Sequence, residues 1–258
     1  NINNSVRLRA ILTDFCLTPS VILARNRESL LRVGQEGVGG VPSYFIRTTG
    51  CNLRCSWKNL DGTLTICDTP YTSFNPERGY NLDVQEVLRL LKSTKTKHVV
   101  ITGGEPSLQR DLADICNIFT NKAFTVTVET NGTIYHENME KSFISLSPKL
   151  KNSYSQENSQ EKNIHEKHNH FEESCLQWMQ SNDYQYKFVV NNRDDIIEIS
   201  ELIQLLNIPI NKVYLMPQGI SREQFKQKEK WLFRECERLG VNYTPRLHID
   251  IWGNVRGI

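Results

Sequence analysis

The chain has 258 residues, 38% of them hydrophobic, with 31 Lys and Arg against 29 Asp and Glu for a net charge of +2. That near-neutral balance supplies no field for gripping a polyanion, which argues against a nucleic-acid partner, and no run of about 18 apolar residues offers a transmembrane helix, so no membrane partner is expected. No basic segment followed by an apolar one opens the chain, so a secretory leader is not expected and a cytoplasmic location is.

In chain order, residues 1–32 mix Arg, Leu and Ser without a clear period and read as an N-terminal extension, with an edge strand as the alternative. Ser43-Tyr44-Phe45-Ile46-Arg47-Thr48 is aromatic and β-branched after a Gly/Pro turn, so it reads as a strand. A cysteine-rich loop follows at 51–67. Asp83 reads as the N-cap of a helix through Lys92, with Val84, Val87, Leu88 and Leu91 on one face. His98 to Thr102 is a buried type of strand ending at Gly103-Gly104, and Pro106 suits the first turn of a helix carrying Leu108, Leu112, Ile115, Cys116 and Phe119. Strands are expected at 124–129, 143–146, 184–190, 212–216 and 241–249, with helices at 193–206 and 221–239.

This alternation implies βα units, a mainly parallel sheet of about six to seven strands and an α/β fold, better suited to an incomplete TIM-type barrel than to a full one. The length allows one large domain, and the whole chain reads as one. Residues 151–173 are rich in Asn, Ser, Gln, Glu, Lys and His and poor in core residues, so they read as a polar, disordered insertion. Its histidines His165, His168 and His170 read as residues of a polar loop, with metal binding as the alternative.

Seven cysteines are an odd number, which full disulfide pairing cannot consume, and clustered cysteines in a cytosolic chain point to metal or catalysis. Cys51, Cys55 and Cys67 fall within seventeen residues directly after a strand. Soft thiolates gathered this closely suit zinc or an iron–sulfur cluster. A structural zinc needs four protein ligands, and no fourth Cys or His lies nearby in sequence. Three ligands leave one iron of a four-iron cluster open for a substrate or cofactor. Cys16, Cys116, Cys175 and Cys236 read as buried or unpaired thiols.

The Cys-x3-Cys start resembles the radical S-adenosylmethionine motif, which usually closes with a third cysteine three positions on. Here eleven residues intervene before Cys67. With 58–66 taken as an insertion, the text reads Cys-Asn-Leu-Arg-Cys-Ser-Trp-Cys-Asp-Thr-Pro-Tyr, which closely resembles the cluster loop of the 7-carboxy-7-deazaguanine synthase family. Thr102-Gly103-Gly104-Glu105-Pro106, at a strand end, resembles the segment that holds the amino group of S-adenosylmethionine. Taken alone, each of these strand-end motifs is also an ordinary turn.

The resemblance implies a [4Fe–4S] cluster on Cys51, Cys55 and Cys67. It implies S-adenosylmethionine contacts at Ile66, Asp68, Gly103, Gly104, Glu105, Glu129, Ser147, Pro148, Lys149 and Gln218. It implies Mg2+ at the hydroxyl of Thr69, whose alternative is a loop hydroxyl capping the next turn. Substrate contacts are implied at Arg47, Thr102 and His248, and at Gln35 and Glu36, where Gly34-Gln35-Glu36-Gly37 stands in altered order for the family's Gln-Gly-Glu-Gly. No acid or base is singled out. The expected activity is a lyase reaction on a small pterin, 6-carboxy-5,6,7,8-tetrahydropterin, giving 7-carboxy-7-deazaguanine and ammonia for queuosine and related deazapurines. The expected partners are an electron donor such as a flavodoxin or ferredoxin and a second copy in a homodimer. The alternatives are a glycyl-radical-activating enzyme, distinguished by a protein substrate, and a zinc-stabilised binding module without turnover.

Overall fold

The computed structural model describes residues 7–10, 41, 43–59, 61–74, 80–92 and 95–252. Its main sheet is built on seven parallel strands in simple chain order: β2 (Tyr44–Thr48), β6 (His98–Gly103), β7 (Thr125–Thr130), β8 (Phe143–Leu146), β9 (Tyr184–Val190), β10 (Val213–Pro217) and β11 (Asn242–Tyr243). Two antiparallel strands extend one edge, β1 (Arg7–Ala10) beside β2 and β5 (Tyr80–Asp83) beyond it. β11 and β5 stand at opposite edges. The sheet is therefore an unclosed α/β array, the partial barrel expected.

β6 shows why these strands form. Residues 98–102 are all buried, as both faces of a parallel strand are when helices cover one side and the concave interior lies on the other. Helices α2 (Val84–Lys92), α3 (Leu112–Thr120), α4 (Ser159–His168), α5 (Glu172–Ser181), α6 (Asp194–Leu205) and α7 (Arg222–Leu239) connect the strands. The core runs between them and the sheet, through Leu112, Ile115 and Phe119 of α3, Trp178 of α5, Ile196 and Ile199 of α6 and Leu232 of α7.

Four expectations change. Pro106 opens only a short 3-10 turn, Pro106–Leu108, so Leu108 is exposed and the apolar stripe begins at Leu112. The last strand is two residues long and gives way to α8 (Leu247–Trp252). Within the N-terminal stretch, the strand alternative holds at β1, but β1 is paired on both sides, between β2 and β5, and is not an edge. Residues 151–173, read as disordered, carry a 3-10 turn at Lys151–Ser153, all of α4 and the start of α5. Composition misleads there because α4 is started by a cap and held by polar contacts: the Asn158 side chain accepts from Gln160 N and Glu161 N, and His165 is the buried residue of the helix.

Candidate active site

The eleven-residue gap between Cys55 and Cys67 is a β-hairpin. β3 (Ser56–Lys58) pairs with β4 (Leu64–Ile66) in the register Ser56↔Ile66, Trp57↔Thr65 and Lys58↔Leu64. Its turn is fixed by Asn59 N donating to Thr63 O at 2.8 Å and by the Asp61 carboxylate accepting from Thr63 N and Oγ1 at 2.9 and 2.6 Å. Because the strands pair, the chain leaves at Cys55 and returns beside it, with Cys67 N donating to Cys55 O at 3.0 Å. The insertion therefore lengthens the loop without separating its cysteines.

Leu53, Cys55 and Trp57 form one buried cluster with Cys51, Cys67 and Val189 of β9 packed against it. All three cysteines are free thiols. Burial pushes the Cys51 thiol up to about 12, and it raises Cys55 and Cys67 as well. Among the described residues no three His, Cys, Asp or Glu side chains close on one point as a single metal ion requires. A four-iron cluster takes each cysteine at a separate iron, and three free thiols gathered in one packed cluster fit that group.

The second motif is built against the first. Gly104 N donates to Thr48 O at 3.1 Å, and Glu105 N to Gly50 O at 2.8 Å. Gly103 sits at φ +126°, and a Cβ on it would collide with the Thr48 backbone; a Cβ on Gly104 would collide with the Gly50 carbonyl. The glycines thus let the turn lie flat on the chain entering the cysteine loop. Glu105 is 1% exposed. Its Oε1 accepts from Ser107 N at 2.9 Å and Thr130 Oγ1 at 2.6 Å, and its Oε2 from Asn131 N at 2.7 Å. Burial raises its carboxyl, and these donors partly oppose the rise. Its carboxylate is a strut between the ends of β6 and β7. Asn131 Nδ2 then reaches Asn52 Oδ1 at 2.9 Å, tying β7 to the loop between the first two cysteines.

Above the strands lies a charged floor. Arg47 stands opposite Thr102 in the β2–β6 register. Thr102 Oγ1 donates to Glu129 Oε2 at 3.1 Å, and Lys187 Nζ to Glu129 Oε1 at 2.6 Å. Burial alone would raise the Glu129 carboxyl, but Lys187 and then Arg47 hold it below its usual range. Asp68 forms an ion pair with Arg246; its packed surroundings would raise its carboxyl, yet Arg246, Arg47 and Lys149 hold it well below the usual range. Lys149 curls onto Ser147, donating to its O and Oγ at 2.9 and 3.0 Å, and its charge acts on all three cysteines.

Thr69 precedes the short helix α1 (Pro70–Ser73), but its hydroxyl caps nothing there. Instead Oγ1 lies 3.4 Å from Cys67 Sγ and 3.4 Å from Gly103 O, bridging the two motifs. Gln218, after β10, is buried; Lys228 Nζ donates to its O at 2.7 Å and its Oε1 at 3.0 Å. Pro148 is buried, while Ile66 is half exposed beside Cys67. Gln35 and Glu36 lie outside the described residues, as does the side chain of His248.

Three participants escape the motif reading. Lys187 alternates with buried Tyr186 and Phe188, which puts it on the face of Glu129, but no strand-end motif marks it. Arg246 finds Asp68 across 178 residues, with no local signal. Lys228 is a buried lysine in a polar helix, and burial pulls it down to about 8.

The Radical SAM superfamily model matches residues 45–146, the span from Phe45 through the cysteine loop to the end of β8. A Rhodopirellula baltica protein named 7-carboxy-7-deazaguanine synthase is 37% identical over 88% of this chain and 85% of its own length. A Halobacterium salinarum protein of the same name is 32% identical over 86% and 87%. In fold, the crystal structure of QueE from Escherichia coli covers 80% of this chain and 86% of its own at a TM-score of 0.56 and 21% identity. Cluster loop, glycine turn and charged floor thus sit on the fold those relatives lead one to expect, and the chain belongs to the 7-carboxy-7-deazaguanine synthase family of radical S-adenosylmethionine enzymes.

Proposed function

We propose that this protein converts 6-carboxy-5,6,7,8-tetrahydropterin to 7-carboxy-7-deazaguanine with loss of ammonia, a step toward queuosine and related deazapurines. The observation that carries the reading is the hairpin register, which returns Cys67 to Cys55 and so rebuilds a three-thiol loop beside the glycine turn. Cys51, Cys55 and Cys67 would hold a [4Fe–4S] cluster, and the cluster with S-adenosylmethionine would supply the one-electron chemistry that the ring contraction needs.

The chain's own residues bind and orient. Gly103 and Gly104 bring backbone up to the cluster loop, Ser147, Pro148 and Lys149 offer polar and cationic contacts, and Asp68 and Ile66 flank the third cysteine. Gln218, steadied by Lys228, lies at the far strand end. Arg47, near Glu129 and Asp68, would offer its planar guanidinium to the substrate carboxylate. Glu129, kept ionised by Lys187, offers acceptors to ring N–H groups. Thr69 offers one oxygen to Mg2+, which takes oxygen ligands and keeps several waters. Gln35, Glu36 and His248 remain substrate contacts by resemblance alone. The flavodoxin or ferredoxin donor, the homodimer and the cytoplasmic location rest on the same resemblance. Among the described residues no helix is long and apolar enough to cross a membrane.

The test is turnover by anaerobically reconstituted protein with the pterin, S-adenosylmethionine, Mg2+ and a reductant. The deazaguanine is the expected product. Cleavage of S-adenosylmethionine with the pterin left untouched would overturn the substrate assignment.

A further inference from the structure

Helix α4 lies on the cysteine loop. His165 Nε2 is 3.0 Å from Arg54 O and 3.3 Å from Arg54 N, so one imidazole faces both backbone polar groups of the residue before Cys55. One turn earlier, Glu161 Oε2 accepts from Ser56 Oγ at 2.6 Å, on the residue after Cys55, and from Ser155 N at 3.1 Å. His165 is 2% exposed and stacks on Tyr154 with ring centroids 4.5 Å apart and planes 23° from parallel. The helix is anchored at both ends. Asn158 caps its start, and Asn169, just past its end, donates Nδ2 to Lys149 O at 2.7 Å.

The other holds on the loop lie away from Cys55: Asn52 accepts from Asn131 Nδ2 at 2.9 Å and donates to Thr133 Oγ1 at 2.8 Å. The Arg54 guanidinium turns back to the carbonyls of Cys51 and Leu53, both at 2.8 Å, and lies 5.3 Å from the centre of the Phe74 ring. Those contacts tighten the loop on itself. The contacts from α4 hold the segment around Cys55, as the Asn52 bonds hold the segment after Cys51. They bracket Cys55, the most deeply buried of the three thiols, from both sides in sequence.

We propose that α4 is a clasp for the cluster loop, with His165 as its positioning residue and Glu161 as its second hold, setting the backbone on either side of Cys55. The proposal builds on the assignment of Cys51, Cys55 and Cys67 as cluster ligands, but the clasp itself can be read without iron. Local opening of a loop exposes its buried groups to reagent in proportion to the open population.

The experiment compares the full chain with His165→Ala, His165→Gln and Glu161→Ala. In the metal-free proteins, alkylation of Cys55 by iodoacetamide should be about tenfold faster in His165→Ala, the effect of about 1.4 kcal/mol of easier opening. It should return toward the parent rate in His165→Gln, whose amide can again meet Arg54. After reconstitution, His165→Ala should shift the electron paramagnetic resonance signal of the reduced cluster and lose iron faster in air, with Glu161→Ala moving the same way to a smaller extent. Should His165→Ala fail to fold, Glu161→Ala carries the same two readouts. Parent-like Cys55 alkylation and a parent-like signal in the variants would overturn the clasp. A parent that assembles no cluster would overturn the ligand assignment instead, and the alkylation rates would still decide the clasp.

Discussion

The Glu105 carboxylate accepts from Ser107 N, Thr130 Oγ1 and Asn131 N while shut off from water. Glu105→Gln keeps the shape but replaces one oxygen with an NH2 group, and a donor then faces a donor at one of these positions. Leaving a buried backbone N–H unmet costs about 1–3 kcal/mol. Glu105→Gln should therefore lower the unfolding free energy of the metal-free chain in urea by that amount, and weaken S-adenosylmethionine binding only in step, as the glycine turn loosens. Full stability with weakened cofactor binding would instead place the carboxylate on the cofactor's amino group. The residue types at this turn were legible in the sequence, because Gly-Gly-Glu-Pro after an apolar strand is a compact signal. Which way the side chain points was not, since that depends on Thr130 and Asn131 arriving from another strand. Lys187 shows the complementary case: alternation in 184–190 carries the information, yet a lysine in a strand reads as an edge charge until its Glu129 partner is seen.

Among elements, the hairpin at 56–66 carries the sharpest consequence. If pairing rather than the turn returns Cys67 to Cys55, the tip is dispensable. Replacing residues 59–63 with Asn-Gly joins Lys58 to Leu64 through a two-residue turn and keeps the whole register. Iron and sulfide per reconstituted chain should stay at the parent level. A fall would show that the tip itself sets the loop. This hairpin was hidden in the sequence because its strands are three residues each and Leu64 and Ile66 are exposed, so no buried stripe marks them. The seven parallel strands were legible for the opposite reason: buried apolar runs broken by turn residues have few other readings. Helix α4 was invisible to composition, because polar docking through His165 and Glu161 needs a partner loop 111 residues away.

For the whole molecule, the buried titratable groups set a pH range for stability. His98, the first residue of β6, held between Ser43 Oγ at 2.5 Å and Thr127 Oγ1 at 2.9 Å, and His165 on α4 are both lowered by burial. A lowered histidine contributes stability above its unfolded value of about 6.5, and that contribution is lost as pH falls through the folded value. The thiols of Cys51, Cys116, Cys175 and Cys236 are each pushed up to about 12 by burial, so their contribution is full below the unfolded value of about 8.5 and declines as pH rises beyond it. The two sets act on opposite sides and leave a plateau between about pH 6.5 and 8.5. Urea midpoints of the metal-free chain from pH 5 to 10 should fall on both flanks. The acid flank should fall by at most about 2.7 kcal/mol per pH unit for two protons taken up on unfolding, and by about half of that in His98→Asn. Burial raises the carboxyls of Glu105, Asp195 and Glu198, which take up protons in the fold and oppose this fall, so the loss of slope in His98→Asn is the reading that isolates the imidazole; a slope unchanged in that variant would overturn the role given to His98.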